Sequence, residues 1–454
     1  MTVTSAPHAV PGAQHRLAAG LLVFIWLLPI HAVVMAALFG GLGVPSIVVR
    51  LIAAWKESLV AVLVVAVILR VLLGRGDRTP VQWLDLVVGG FGLFALSHII
   101  GASFWSDLDV PLGARLYGLR DAVYFSLLYF VGRATPEVVR DERVLKSLFL
   151  VGVITSAVAV LERLFVTPEM LVLLGAAAYV EDFLGLTLFT VGNAYGLPGN
   201  YWVPMGNSLV WRSGSTYLSS QGFAIPFLVI MPAATVWVLA RRRTAIVWVG
   251  YAMLWLGLLL SLTRLTIVAC LLQALMITAS RRRWGLITTV STAVTIAFGC
   301  ALVLVPGLAN YVWETLTWQT SSSLSHVDAW VGGIDNALRY PFGAGLGVAE
   351  QSAIRFGLDP LAGDNQYLRY AVELGVLGLG LHVATIVGGF LTGVACTRSA
   401  RDVRADYGIV LAAAAAGILL NAVTATVFNS TLLTCVFFWL LGSLATPITV
   451  KEAA

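Results

Sequence analysis

"GDNQYLRYAVELGVLGLGLHVATIVGGFLTGVAC", residues 363–396, sets a short polar string directly against a long apolar one. Asp364 and Arg369 stand at its mouth, Glu373 follows the arginine by four residues, and no charge interrupts the stretch from there to Cys396. Crossing a bilayer as a helix takes about 20 largely apolar residues. The spacing therefore predicts a membrane span over 371–396, introduced by a polar mouth.

The same pattern recurs along the chain. Of 454 residues, 59% are hydrophobic and only 11% charged, and the mean hydropathy of +0.90 lies far outside the range of a soluble domain. Backbone polar groups in lipid must be satisfied within the protein, and long apolar runs do this as helices rather than as strands of a barrel. The expected fold is all-α: one polytopic membrane domain over 1–454, with spans near 17–40, 57–73, 81–101, 119–133, 147–166, 222–240, 245–261, 265–280, 284–306, 371–396, 407–426 and 430–448.

Every second connection is basic. Arg75 and Arg78 fall in one, then Arg133, Arg140, Arg143 and Lys146, then 241–243, 281–283, and finally Arg398, Arg401 and Arg404. This alternation follows the positive-inside rule and predicts twelve spans with both termini cytoplasmic. The net charge of +5 reports that topology, so nucleic acid is not an expected partner. The first apolar run, from Leu17, is too long for a signal-peptide core and reads as a retained span. Cys270, Cys300, Cys396 and Cys435 fall in or at the edge of predicted helices and suggest neither a disulfide nor a zinc site. Walker A, Rossmann and HExxH patterns are absent, and neither a metal nor a cofactor is expected.

Two connections break the rhythm, 167–221 and 307–370, and both fall on the extracytoplasmic side by the charge count. They are rich in Trp, Tyr, Gly and Leu, which favours folded caps over disordered linkers. Four arginines on this side are not explained by topology: Arg115 and Arg120 in "GARLYGLRD", Arg212 in "VWRSGS" and Arg264 in "SLTRLT". Arg264 sits between two apolar spans with no acidic neighbour in sequence. It either snorkels to the headgroups or captures phosphate oxygens with its planar fork, and charge alone does not decide between them. For the other three, a solvated or loop-capping role competes with a functional one.

Taken together, "WKESLVAVLVV" (55–65), "GLRDAVYFSLLYFVGR" (118–133), "RSGSTYLSSQGFA" (212–224), "SLTR" (261–264) and "YPFGAGLG" (340–347) make the chain resemble, over most of its length, the bacterial superfamily of O-antigen polymerases and O-antigen ligases. The ligase branch is marked by His, then Asn, Ser or Gln, then nine residues and Gly-x-x-Gly. Here Asn365 and the glycines at 375 and 378 keep that spacing, with Asp364 in place of the histidine. The family also often carries an arginine four residues before a tryptophan in the second long loop, where this chain has His326 before Trp330.

The resemblance implies an enzyme of the bacterial cytoplasmic membrane. It would transfer glycan from a polyprenyl-diphosphate carrier to a glycan or lipid acceptor at the outer face, as a polysaccharide polymerase or as a ligase. It further implies Arg212 and Arg264 as ligands of the diphosphate and Asp364 as the base or orienting group, with His326, Arg115, Arg120, Asn365 and Arg339 as substrate-binding groups. Apart from the resemblance, an Asp ahead of a helix reads as an N-cap, and Arg369 and Glu373 read as an i,i+4 pair steadying the helix start. His31, His98 and His382 read as helix–helix hydrogen-bonding groups. Trp202, Trp211 and Trp330 can stack on sugars or simply mark the membrane interface. A transporter or lipid flippase is the reading from another class, and the absence of internal symmetry counts against it.

Overall fold

The computed structural model describes residues 11–74, 80–100, 102–186, 197, 201–205, 208–241, 244–283, 285, 307–319, 321–399 and 402–446. Seven helices among them are long and apolar enough to cross a membrane: Leu17–Gly41, Ser46–Leu72, Trp83–Ile100, Arg143–Phe165, Ser220–Ala240, Gly375–Ser399 and Val403–Asn421. Ala245–Leu260, Arg264–Ser280 and Thr431–Ala445 are apolar but shorter. The chain is thus a helical membrane protein, as the apolar runs require.

Twelve uninterrupted spans are not what the described residues form. The expected span over 119–133 is broken into a helix Leu112–Ala122, a 3-10 turn Tyr124–Leu127 and a short helix Leu128–Arg133. Val123, Tyr124 and Phe125 are β-branched or aromatic and form helix reluctantly, and the Tyr124 hydroxyl donates to the Glu57 carbonyl at 2.6 Å, which anchors the turn sideways. The expected span over 284–306 lies almost entirely outside the described residues.

Thr431–Ala445 is apolar on every side and buried from Leu432 to Ala445, as expected of a helix with no polar face to turn outward. It touches Leu128–Arg133 backbone to backbone, since a Cβ on Gly132 would meet the Trp439 carbonyl and one on Gly442 the Tyr129 carbonyl. Such close approach maximises van der Waals contact where lipid offers no hydrophobic drive.

The described basic residues Arg133, Arg281 and Arg404 meet at one end of the bundle. Arg133 is buried there, ion-paired to Asp85 at 3.0 Å and donating to the carbonyls of Pro80 and Ala445. Arg404 donates to the Leu444 and Thr446 carbonyls, Arg281 pairs with Asp406, and the Tyr407 hydroxyl donates to the Asp141 carbonyl. Arg133 is therefore an internal pin rather than a solvated loop charge. The Arg264–Ser280 and Val403–Asn421 helices run from this end to the opposite one. There Asn421 donates to Thr266 Oγ1 at 2.8 Å, Gln366 N to the Ala422 carbonyl at 2.9 Å, and Asn365 Nδ2 to the Val423 carbonyl.

The two long connections are folded where described. The first holds the short helix Pro168–Leu173, a π-turn Tyr179–Phe183 and a hairpin pairing Trp202–Met205 with Ser208–Trp211. The second holds helices Leu308–Leu316, Ser321–Arg339 and Glu350–Arg355.

The quoted stretch turns out to be two helices, Gln366–Glu373 and Gly375–Ser399, so the apolar span starts at 375 rather than 371. Gly375 has φ +67°, and a Cβ there would collide with the Pro341 carbonyl. Only glycine fits both constraints. The "FGAGLG" loop is laced to this break by bonds from Ala344 N to the Val372 carbonyl, Gly345 N to the Glu373 carbonyl, and Gly347 N to Glu373 Oε1 at 3.0 Å.

Candidate functional site

The "RSGS" segment is held from below by Glu162 of the Arg143–Phe165 helix, whose carboxylate accepts from Gly214 N at 3.3 Å and Ser215 N at 2.7 Å. Ser213 bonds the Ala159 carbonyl through Oγ and the Leu260 carbonyl through N. So fixed, Arg212 reaches across to the turn of residues 261–263. Nε donates to the Ser261 carbonyl at 2.9 Å and Nη2 to Thr263 Oγ1 at 3.0 Å. Arg264 follows that turn and opens the Arg264–Ser280 helix, with Nη1 donating to Thr315 Oγ1 at 2.8 Å. Two of the arginines singled out in the sequence, 52 positions apart, thus meet at one turn, which Arg212 bonds and Arg264 follows. The Thr263 side chain does not cap the helix, so its first N–H groups and dipole add positive potential beside Arg264.

Backbone strain gathers at these connections. Ser215, Leu218 and Leu262 hold φ of +50°, +51° and +51°, as does Glu350 at +50°. Left-handed backbone at a non-glycine residue costs energy and persists only where surrounding structure enforces it, often near function.

His326, on the Ser321–Arg339 helix, lies within electrostatic reach of both Asp364 and Arg264. Burial pushes its imidazole down from the ordinary value, Asp364 pulls it up, and Arg264 pushes it further down. The Asp364 side chain is open to solvent yet crowded by protein, which pushes its carboxyl up against the opposing pull of His326. The helix cap is Asn365 instead: Oδ1 accepts from Tyr367 N at 2.9 Å and Leu368 N at 3.0 Å. That assigns the capping expectation to the neighbour and leaves Asp364 without it. Asn365, buried and bonded at both ends of its amide, serves the backbone here.

Arg369 and Glu373 form the expected i,i+4 pair, at 3.2 Å, but they are buried and do far more than steady a helix start. An alternating chain runs Lys56–Glu57–Arg120–Asp121–Arg369–Glu373, with successive separations of 3.6, 3.8, 2.7, 3.7 and 3.2 Å. It joins "WKES", "GLRD" and the quoted stretch, three segments remote in sequence. Arg369 Nη1 also donates to Asn429 Oδ1 at 2.6 Å. Arg120 is thereby tied into this chain, above the Tyr117 ring at 4.0 Å.

Four residues at this end carried no flag in the sequence. Glu350, Glu57, Asp121 and Asn429 are polar or charged groups at the edges of apolar runs, and that position was the available signal. Glu350 Oε2 accepts from Thr426 Oγ1 at 2.6 Å and Asn429 Nδ2 at 3.3 Å.

Other expectations are redistributed. Arg115 is half-buried on the Leu112–Ala122 helix, and Arg339 is exposed in the last turn of its own helix. Neither bonds to the cluster among the described residues. Trp202 and Trp211 pack edge to face at 5.0 Å beside Tyr201, which makes them the inner core of the hairpin rather than a sugar platform. Trp330 is half-buried against Trp318 at 5.5 Å. His31 accepts from Trp55 Nε1 and contacts Lys56, and His98 bridges the carbonyls of Phe94 and Phe342, both as helix-linking groups. His382 instead sits among Tyr370, Phe91 and Phe428 rings.

An apolar groove of about 470 Å³ lies between the Trp83–Ile100 helix and the broken 112–133 segment, lined by Val88, Leu93, Leu96, Leu116 and Leu119. Arg120 is the charged residue on its wall. Groups that could gather a metal ion do not cluster among the described residues. No family model matches the chain, and no curated protein matches it.

Proposed function

We propose that this protein is a membrane glycosyltransferase that takes glycan from a polyprenyl diphosphate at the extracytoplasmic face of a bacterial cytoplasmic membrane, most closely as a polysaccharide polymerase. The observation that carries the reading is that Arg212 bonds the turn which Arg264 follows, with His326 in electrostatic reach of both Arg264 and Asp364, at the end of the bundle opposite Arg133, Arg281 and Arg404. In the proposed reaction the acceptor hydroxyl attacks the anomeric carbon as the bond to the diphosphate oxygen breaks. The bonding pair leaves with the lipid diphosphate, and the hydroxyl proton passes to Asp364. Arg264 neutralises the charge that grows on the leaving oxygens, and Arg212 holds the turn that aims it. Preorganised cations of this kind stabilise a transition state because they need not reorient when charge develops.

The apolar groove ending at Arg120 suits the isoprenoid tail. The ligase reading shares this chemistry and keeps the Asn365 to Gly378 spacing; Asp364 in place of histidine favours the polymerase.

Purified protein incubated with a lipid-linked oligosaccharide should lengthen the glycan and release polyprenyl diphosphate. Transport of the intact lipid without transfer would replace the reading with a flippase. A chelator should leave the rate unchanged, since arginines supply the positive charge; loss restored by a divalent cation would count against this site.

Sidedness has its own test. Glu169→Cys and Asp359→Cys lie in the two long connections and are exposed, and Arg143→Cys is exposed at the basic end. An impermeant thiol reagent should label the first two in intact cells and the third only after permeabilisation. The reverse pattern would invert the topology.

A further inference from the structure

Glu350 is a buried carboxylate in the second long connection, outside every membrane helix, and the mechanism above leaves it unused. Its two oxygens live differently: Oε2 accepts from Thr426 and Asn429, while Oε1 is screened from solvent and has no hydrogen-bond partner among the described residues. Burying an ionised oxygen without a donor is costly, whereas a protonated one costs much less.

Charge balance points the same way. The chain from Lys56 to Glu373 holds Lys56, Arg120 and Arg369 against Glu57, Asp121 and Glu373, so it is neutral without Glu350. Arg369 is already shared by Asp121, Glu373 and Asn429, and Glu350 forms no ion pair of its own among the described residues. The charged groups facing it are Arg369 and Glu373 from the Gln366–Glu373 helix and Asp364 from the loop before it. Backbone bonds fix the juxtaposition: Glu350 N donates to the Ala362 carbonyl and Leu361 N to the Val348 carbonyl, which lays the start of the Glu350–Arg355 helix beside the loop carrying Asp364. The fold also keeps a glutamate at φ +50°, where glycine would be at ease.

We propose that Glu350 is a positioning residue that keeps a proton on Oε1 in the resting site, so that of the two carboxyls Asp364 alone is ionised and the lipid diphosphate meets one negative charge instead of two. This rests on the diphosphate-donor reading. Burial pushes the Glu350 carboxyl up to about 8, with Arg369 opposing and Asp364 adding to the rise. Below that pH it is neutral, and above it a second anion stands beside Asp364. The KM for the lipid-linked donor should then climb by about tenfold per pH unit above the midpoint, with kcat changing less.

Glu350→Gln is permanently neutral and keeps an acceptor for Thr426 and Asn429. It should remove the alkaline rise in KM and retain at least about tenfold more kcat/KM than Glu350→Ala, which strips Thr426 and Asn429 of their acceptor. An alkaline rise persisting in Glu350→Gln, or a Gln variant as inactive as Ala, would overturn the proposal. A second measurement does not depend on activity: the infrared difference between wild type and Glu350→Gln in lipid should show a protonated-carboxyl carbonyl band at neutral pH that fades through about pH 8. Absence of that band overturns the resting proton even in an active enzyme. Its presence in a protein that transfers no glycan would leave the proton standing and refute the transferase reading separately.

Discussion

Replacing Arg264 by alanine should abolish glycan transfer while the protein still reaches the membrane and elutes as a single species in detergent. Its guanidinium stands at the start of the Arg264–Ser280 helix, where the dipole and uncapped N–H groups add to its charge. Removing one preorganised donor from a transition state costs about two to three orders of magnitude in kcat. Lysine should rescue poorly, because a point charge cannot bond two phosphate oxygens and Thr315 from one planar fork. Arg212→Ala should fail for a related reason. It removes the two side-chain bonds from Arg212 to the 261–263 turn, which holds Leu262 at φ +51°, and so loosens the turn that aims Arg264. Full transfer in both alanine variants would exclude these arginines from the chemistry.

The second large effect is expected at Asp364. A positioned general base contributes about two to four orders of magnitude, and Asp364→Asn should lower transfer by that much. The substitution is unusually clean here. Asn365 supplies the cap of the following helix, so asparagine at 364 removes an ionisable group from a solvent-open side chain and leaves the helix start intact. His326 is the control: its imidazole is pushed down mainly by burial, so it is neutral near pH 7 and can hydrogen-bond to a sugar hydroxyl. Near-normal turnover in a folded Asp364→Asn variant would reduce Asp364 to a surface group and move the base to His326.

Membrane insertion and helicity were legible because they depend on local composition. A run of about 20 apolar residues can satisfy its own backbone only as a helix, and the runs ending at Gly41, Phe165, Ser399 and Asn421 needed nothing beyond that rule. Arg212 and Arg264 stood out by contrast, since they fall outside the basic connections that the positive-inside rule accounts for. Asp364 was singled out only through a resemblance, by its spacing to the glycines at 375 and 378.

What pairs with what was not legible, because pairing depends on helix packing rather than on neighbours in sequence. The break at Val123 followed from contacts to the Ser46–Leu72 helix as much as from its own residues. Arg369 looked like half of an i,i+4 pair, but its remaining nitrogens reach Asp121 and Asn429, 248 and 60 positions away. Glu350 was one unremarked acid in an apolar loop until the 426–429 turn took one of its oxygens and left the other bare. Sequence by itself therefore determined that the chain is helical with runs apolar enough to cross a membrane, and which of its arginines required an explanation. The tertiary structure alone decided which of those charges neutralise one another and which are left over for chemistry, because a buried charge is defined by partners that only packing brings within a few ångströms.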